Sequence, residues 1–272
     1  MVSQSSQALT SVIIPVRNRF HEAKQAVQSV IEQGHPVEII IVDESDTPLS
    51  MDDLGSPQST NITIIRPTER LGIGGSRNVG LERATGSVIA FLDADDFWQP
   101  NFLSEMLLVL ERQENCSGAI ALSKKVFDPG IKAGFRLKLQ LLNVFKDIIL
   151  LACYVLHKRR LEPRAPFLAQ LSHLVFTRVG VGGVRFMTDG RYGEDWRFVF
   201  EIMQTGSIAI VPRKILNFRY HPASNTLSRG KQNPREKLED YRRFILFLES
   251  KGGSSLFLTL FKYYAEKALV TG

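Results

Sequence analysis

The sequence is poor in cysteine, in export signals and in long apolar runs. Only Cys116 and Cys153 occur in 272 residues, far apart and outside any CxxC pattern, so we expect two buried thiols in a reducing compartment. The first ten residues carry neither a basic start nor an apolar run of signal-peptide length. The longest uncharged apolar run, residues 148–156, has nine residues, well short of the roughly 20 that a spanning helix needs. These features predict a cytoplasmic protein that does not cross a bilayer.

Internal repeats and low-complexity segments are also missing from the sequence. The content of 44% hydrophobic and 23% charged residues is typical of a globular protein, and it excludes a disordered, fibrous or disulfide-rich chain. The length suits one large α/β domain, or one domain with a substantial appendage, and either can bury a core without covalent links.

Four short apolar runs in the first half are typical of strands buried on both faces of a sheet. They are residues 11–16, 37–43, 62–65 and 87–92. Between the first two runs, apolar residues at helical spacing from Phe20 to Ile31 predict a crossover helix and hence a βαβ unit. Further helices are predicted at 76–84 and 100–113, and a loop at 44–60. The first 125 residues therefore predict an α/β fold, a doubly wound and mostly parallel nucleotide-binding-like half.

The second half has less regular patterning. Residues 135–161 form a basic amphipathic stretch, and residues 172–188 are typical of strand or loop with a glycine cluster. The remaining predictions are a helix at 194–204, a strand at 208–211, a helix around 238–248 and a last apolar helix at 256–270. Gly72, Gly74 and Gly75 follow the third strand, whereas a dinucleotide fingerprint follows the first, so we expect a flexible turn there.

Acidic residues follow the predicted strands at their carboxyl ends, where open parallel sheets bind ligands. Asp43 ends the second strand, and Asp93, Asp95 and Asp96 follow the fourth. Three carboxylates in four residues repel one another unless a cation lies among them, so this turn is a candidate site for a divalent metal. The alternative interpretation is a solvated acidic turn that caps the next helix.

Four segments in this order resemble the family-2 glycosyltransferases of the GT-A fold. They are SVIIPVRNRFHEAKQAVQSVIEQ, VEIIIVDES, GGSRNVGLERATGSVIAFLDADD and GEDWRFVFEIMQTG. The resemblance covers residues 10–112 and 172–228. It implies a GT-A type, Rossmann-like sheet with a nucleotide-sugar-binding half at 1–125, an acceptor-binding and catalytic half at 126–230 and a C-terminal helical extension at 231–272.

The resemblance also implies the donor site. The donor would be a nucleotide-sugar, usually a uridine diphosphate sugar, with Asp43 on the uracil or ribose and the Pro15 and Val16 backbone lining the base. Asp93 would approach the ribose or sugar, and Asp95 would hold Mn²⁺ or Mg²⁺ against the diphosphate. The other donor-binding residues implied are Asn18, Arg70, Arg77, Asn78 and Ala94. Arg77 has a second interpretation, a structural ion pair with one of the aspartates.

The catalytic residues implied by the resemblance are Asp195 as general base and Glu194 as the residue that positions the acceptor or orients Asp195. An inverting transfer needs a carboxylate that takes the proton of the acceptor hydroxyl. Taken alone, carboxylates in a first helical turn are common caps. His221, in NFRYHPASNTLS, is implied as a further metal or diphosphate ligand, since a neutral imidazole suits Mn²⁺; the alternative is a structural histidine.

The sequence thus predicts an inverting, metal-dependent glycosyltransferase that acts on a hydroxyl of a glycan or lipid-linked acceptor. Two alternatives remain. One is a sugar-phosphate nucleotidylyltransferase, which would carry a glycine-rich signature directly after the first strand, where this sequence has PVRNRF. The other is a catalytically inactive nucleotide- or glycan-binding protein of the same fold.

The net charge of +6 at first suggests a nucleic acid or a membrane as partner. Residues 1–129 hold 10 basic and 17 acidic side chains, residues 130–187 hold 10 and 2, and residues 188–272 hold 14 and 9. The positive charge is therefore concentrated in the middle segment, and we expect no nucleic-acid partner. Peripheral membrane contact, at the inner face, is predicted through 132–164 or 256–270; the alternative is that both segments pack on the protein itself.

Overall fold

The computed structural model describes most of the chain up to residue 222. The described residues are 8–55, 61–156, 170–189, 193–222, 239, 242–244, 246–247 and 249–250. Within the helix predicted around 238–248, residues 239, 242–244 and 246–247 are described and are helical, and the helix predicted at 256–270 lies outside the described residues.

The first half forms the predicted βαβ pattern. Its strands are β1 (Thr10–Val16), β2 (Val37–Asp43), β3 (Ile62–Ile65) and β4 (Val88–Phe91), and its helices are α1 (Phe20–Ile31), α2 (Met51–Leu54) and α3 (Gly72–Arg83). The four strand predictions are confirmed, since β-branched and nearly continuously apolar runs fit a sheet that is covered on both faces. The glycine cluster is a correction: instead of a flexible turn, Gly72–Gly75 form the first turn of α3.

The described residues from 97 to 222 add four strands and four α-helices. They are β5 (Phe97–Trp98), α4 (Phe102–Arg112), β6 (Cys116–Phe127), α5 (Ala133–Leu156), β7 (Leu174–Thr177), α6 (Arg178–Val181), α7 (Glu194–Ile202) and β8 (Ser207–Tyr220). The helices predicted at 100–113 and 194–204 are confirmed as α4 and α7. The strand predicted at 208–211 is the start of the longer β8. Neither cysteine forms a disulfide; Cys153 is buried and Cys116 is half-buried.

All eight strands belong to one sheet, in the order β3-β2-β1-β4-β7-β6-β8-β5. The pairs β1–β2, β1–β4, β2–β3 and β6–β8 are parallel. Strand β7 runs antiparallel to β4 and β6 and joins the two halves, and β5 pairs antiparallel with β8. The expected α/β fold with a mostly parallel sheet is confirmed. The boundary proposed at residue 125 falls inside β6.

Helices cover both faces of the sheet. On one face, the buried Ala23, Val27 and Val30 of α1 pack with Val12 and Ile14 of β1. On the other, α3 approaches β1 closely at Gly80, where a Cβ would lie 2.3 Å from Cγ2 of Ile13. This contact fixes α3 against the sheet, one helical turn from Arg77.

Helix α5 differs from the expectation that no segment could span a bilayer. It has 24 residues, a mean hydropathy of 1.8 over its most apolar window, and 22% of that window is buried. It is long and apolar enough to cross a membrane by length and composition. The uncharged run 148–156 is shorter than the apolar helix because Lys146 and Asp147 interrupt a longer apolar pattern.

Candidate active site

Three carboxylates lie together directly after β4. Asp93, Asp95 and Asp96 each present an oxygen, and these oxygens lie within 4.8 Å of one another. Asp93 and Asp95 are partly exposed, and Asp96 is buried. The sequence DADD turns here because the backbone N–H of Asp96 donates to the carbonyl of Asp93 at 2.9 Å. The turn brings all three side chains to the carboxyl edge of the sheet.

Asp96 is the buried member of the carboxylate cluster. Its Oδ1 accepts the backbone N–H of Arg219 at 3.1 Å, and its buried Oδ2 has no hydrogen-bond partner among the described residues. Burial, and then the charges of Asp95 and Asp93, raise the pKa of Asp96 well above its usual value. Oxygen donors so close together suit a hard divalent cation. The residues present therefore fit a metal ion at this position.

Asp95 has two cationic or polar neighbours from distant parts of the chain. Its Oδ2 lies 2.9 Å from Nε2 of His221 and 3.2 Å from Nη1 of Arg19, and Arg19 also contacts His221. Burial alone would raise the pKa of Asp95, but the hydrogen bond with His221 and the charge of Arg19 outweigh it and lower that pKa. The predicted residues Asp95 and His221 thus come together, and Arg19 is a site residue that sequence reasoning missed.

Arg77 of α3 connects the carboxylate cluster with the start of α7. Its buried guanidinium lies 2.8 Å from Asp93 and 3.3 Å from Glu194, and it packs 5.3 Å from the ring centre of Phe186. Burial favours the neutral form, but the charges of Asp93, Glu194 and Asp195 outweigh it and raise the pKa of Arg77. Of the two interpretations of Arg77, the ion pair with an aspartate is the one present in this structure.

Glu194 and Asp195 begin α7, after Gly193 at a φ of 80°. Glu194 is buried against Arg77, whereas Asp195 is half-buried, and its Oδ1 accepts the backbone N–H of Trp196 at 2.9 Å. Asp195 also acts on Lys146 of α5: burial lowers the pKa of Lys146, and the charge of Asp195 opposes that shift. Asp195 is therefore the more accessible of the two carboxylates.

Asn18 and Arg70 meet at the ends of β1 and β2, where both contact Asp46. Asn18 and Asp46 exchange two hydrogen bonds at 2.8 and 2.9 Å, and Arg70 pairs with the same carboxylate. The backbone N–H of Asn18, which has a φ of 54°, donates to the hydroxyl of Ser45 at 2.8 Å. These contacts hold the two loops together at the rim of the sheet.

Other predicted donor residues have contacts within the protein. Asp43 has no exposed surface and accepts from the backbone of Ser45 and Leu49 and from Arg66, each within 2.9 Å. The amide of Asn78 binds the backbone of Phe186 through both of its polar atoms. Pro15 is partly exposed, and Val16 and Ala94 are buried. Direct nucleotide contact by these residues stays a prediction.

Several curated proteins resemble part of this chain. The putative teichuronic acid biosynthesis glycosyltransferase TuaG of Bacillus subtilis is 38% identical over 108 residues, 38% of this chain and 43% of that protein. WfaP of Escherichia coli, a UDP-Glc:alpha-D-GlcNAc-diphosphoundecaprenol beta-1,3-glucosyltransferase, is 33% identical over 107 residues, 39% of this chain and 43% of that protein. The chain thus spans less than half the length of these two relatives.

Solved structures resemble a larger part of the chain. Staphylococcus aureus TarS, residues 1–349 in complex with UDP-GlcNAc, superposes with a TM-score of 0.66 at 16% identity, over 87% of this chain and 65% of that one. The mannosyltransferase PcManGT of Pyrobaculum calidifontis, in complex with GDP-Man and Mn²⁺, superposes with a TM-score of 0.64 at 18% identity. The superposition covers 97% of this chain and 70% of PcManGT. These likenesses show the GT-A fold.

The sequence model of glycosyl transferase family 2 matches residues 11–153. The match takes in the carboxylate cluster after β4, Arg77 and most of α5, and it extends over more than half of the chain. Together with the fold, it identifies this chain as a member of glycosyl transferase family 2.

Proposed function

We propose that the chain is an inverting, metal-dependent glycosyltransferase. It would move a sugar from a nucleoside diphosphate sugar, most simply a uridine diphosphate sugar, to a hydroxyl of a glycan or lipid-linked acceptor. The observation that carries the proposal is the link through Arg77 between the carboxylate cluster after β4 and the acidic start of α7. The names of WfaP and TarS support a uridine diphosphate sugar as donor.

The metal, Mn²⁺ or Mg²⁺, would be held by Asp95 and Asp93 with His221. Asp96 adds a third carboxylate and an oxygen without a partner among the described residues. When bound, a divalent ion neutralises charge that develops on the departing diphosphate. Mn²⁺ in the PcManGT complex supports the choice of metal. Arg77 keeps a fixed positive charge beside Asp93 and so orients that carboxylate.

Asp195 would act as the general base. The acceptor hydroxyl oxygen forms a bond to the anomeric carbon on the face opposite the diphosphate, the bond from that carbon to the diphosphate oxygen breaks, and a carboxylate oxygen of Asp195 takes the hydroxyl proton. Glu194 is held in place by Arg77 and orients the first turn of α7. Glu194 would thus have a structural role, and the neighbouring, more accessible Asp195 the catalytic one.

The donor site would be formed by residues 1–125 and the acceptor site by 126–230, with 231–272 as an extension. Pro15, Val16, Asp43 and Ala94 would shape the base and ribose pocket at the ends of β1, β2 and β4. Asn18, Arg70 and Asn78 would support it through the loop contacts described above. The two alternatives are less favoured: the family match disfavours a nucleotidylyltransferase, and the carboxylates at 93, 95 and 195 are those an active enzyme needs.

The test is the Asp195→Asn variant. We expect transfer, measured as release of nucleoside diphosphate from a panel of uridine diphosphate sugars with Mn²⁺ and candidate acceptors, to fall by about 10²–10⁴-fold. Binding of uridine diphosphate, measured by calorimetry, should change little. Asp189→Asn, at an exposed acidic position before α7, is the matched control and should keep full turnover. Unchanged turnover of Asp195→Asn would remove Asp195 from the role of base.

A further inference from the structure

Helix α5 has two faces of opposite character. Residues that recur at intervals of three and four lie on one face of a helix. One face is buried against the protein and includes Leu139, Asn143, Leu150 and Cys153. The opposite face is apolar and exposed, and it runs the length of the helix; its residues are Leu137, Leu141, Val144, Ile148, Leu151 and Val155. The exposed side chains are apolar although they face away from the protein.

The buried face is fixed to β8, the strand that ends directly before His221. The amide of Asn143 donates to the hydroxyl of Tyr220 at 3.3 Å, and Asp147 pairs with Lys214 of β8 at 2.9 Å. Lys146 lies within the electrostatic reach of Asp195. A helix with these polar contacts to the sheet lies along the protein surface and does not leave it to span a bilayer.

The exposed face is continuous along the helix. Leu141 is 63% exposed, Ile148 56% and Val155 75%, and they lie two turns apart on one side of the helix, with Val144 and Leu151 between them. Contiguous apolar surface of this kind marks an interaction site, whereas single exposed apolar residues need no explanation. An apolar helical face that lies parallel to the protein surface is suited to the boundary between lipid headgroups and acyl chains.

The charge around the helix favours an anionic lipid surface over a protein partner of the same sequence. Arg136 and Lys138 lie on α5 to either side of the apolar face, and the sequence that follows the helix, residues 157–164, reads HKRRLEPR. Residues 130–187 hold ten basic and two acidic side chains. Two copies of this chain joined through α5 would bring these positive charges together, whereas an anionic bilayer neutralises them.

We propose that the exposed face of α5 docks on an anionic bilayer, with the helix lying in the headgroup region. Because Asn143 on the opposite face of α5 binds Tyr220, which precedes His221 in the chain, docking would place the site close to the lipid surface, where a lipid-anchored hydroxyl acceptor is within reach. This last step rests on the proposed function, whereas docking itself does not.

The test is flotation of the full chain with vesicles of phosphatidylglycerol and phosphatidylethanolamine, and with vesicles of phosphatidylcholine alone. We expect binding to the first vesicles, and a drop of more than about tenfold for the double variant Leu141→Glu with Ile148→Glu. Lys138→Gln should lower binding to the anionic vesicles by about fivefold. Val179→Glu is the matched control, since Val179 on α6 is 90% exposed outside this face, and it should bind as the unchanged chain does.

Thermal unfolding and release of nucleoside diphosphate are measured on the same variants. Because the substituted side chains are exposed, both should be retained, which separates loss of docking from loss of fold or of transferase activity. Absence of vesicle binding by the unchanged chain, or equal binding by the double variant, overturns the proposal. A third outcome also overturns it: the unchanged chain binds no vesicles and is a dimer in light scattering, whereas the double variant is a monomer. The exposed face of α5 would then be a protein interface.

Discussion

The guanidinium of Arg77 lies 3.3 Å from the carboxylate of Glu194, which is 117 residues away in the chain. Both side chains are buried, so this pair holds α3, in the proposed donor half, to the start of α7, in the proposed catalytic half. A second nitrogen of Arg77 binds Asp93. Arg77 therefore ties together the carboxylates that we propose bind the metal and the start of α7, which carries the proposed base.

Replacing Arg77 with methionine should destabilise the fold strongly. Asp93 and Glu194 both lose the charge of Arg77, and breaking a buried ion pair by removing one partner costs about 3 kcal/mol or more in free energy of unfolding. Urea unfolding followed by circular dichroism measures this loss. The control is Arg70→Met, which removes an exposed pair with Asp46 and should cost less than about 1 kcal/mol. Equal losses in the two variants would show that the buried pair is not stabilising.

The local pattern of the sequence was enough to predict the strands of the first half. Residues 11–16 and 37–43 are short, β-branched and nearly continuously apolar, and this pattern between turn signals is typical of buried strands. Strand β6 was missed because small residues and two lysines break its apolar pattern, and its place in the sheet comes from pairing with β7 and β8.

The site was predicted only in part, for a related reason. A motif indicates which residues share a loop, so Asp93 and Asp95 could be named from FLDADD. The contact of Arg19 with Asp95 joins residues 76 positions apart and has no local signature. The length of α5 was also underestimated. The search for an uncharged apolar run stops at Lys146 and Asp147, whereas a long apolar helix can contain a few charged residues.

Asp95→Asn should weaken the metal-dependent part of nucleotide binding. A carboxylate is a better ligand for a hard divalent cation than a neutral amide. We therefore expect the ratio of the uridine diphosphate affinity with Mn²⁺ to that without it to be at least about tenfold smaller in the variant than in the unchanged chain. Calorimetry with Mn²⁺ and with a chelator measures the difference. Asp46→Asn, outside the carboxylate cluster, is the control. The same Mn²⁺ effect in both variants would argue against Asp95 as a ligand.

Glu38 should make stability depend on pH. Its Oε1 accepts from the hydroxyls of Ser11 and Thr85 and from the backbone of Gly86. Burial alone would raise the pKa of Glu38, but these donors outweigh it and hold the pKa below its usual 4.5. Because the folded-state pKa is lowered, this stabilisation is present above the unfolded-state pKa and is lost as pH falls through the folded-state value.

The matching experiment compares Glu38→Gln with the unchanged chain by urea unfolding. At pH 7 the variant should be less stable by about 2 kcal/mol, and the gap should narrow progressively below about pH 4.5 as Glu38 of the unchanged chain takes up a proton. Glu32→Gln, at an exposed position after α1, should change stability by less than about 0.5 kcal/mol at either pH. A gap that stays constant as the pH falls would contradict the assignment.

Gly80→Ala should disturb the packing that places α3, and with it Arg77, against the sheet. The added Cβ would lie 2.3 Å from Cγ2 and 3.0 Å from Cγ1 of Ile13, and both atoms belong to a fully buried side chain. Overpacking of this kind costs about 1–3 kcal/mol, which outweighs the roughly 1 kcal/mol that alanine gains over glycine in a helix. Gly134→Ala, in α5 with nothing within 4 Å of its added Cβ, is the matched control and should leave stability unchanged or raise it slightly. If Gly80→Ala were as stable as Gly134→Ala, the close approach of α3 to β1 would not be what holds the arginine in place.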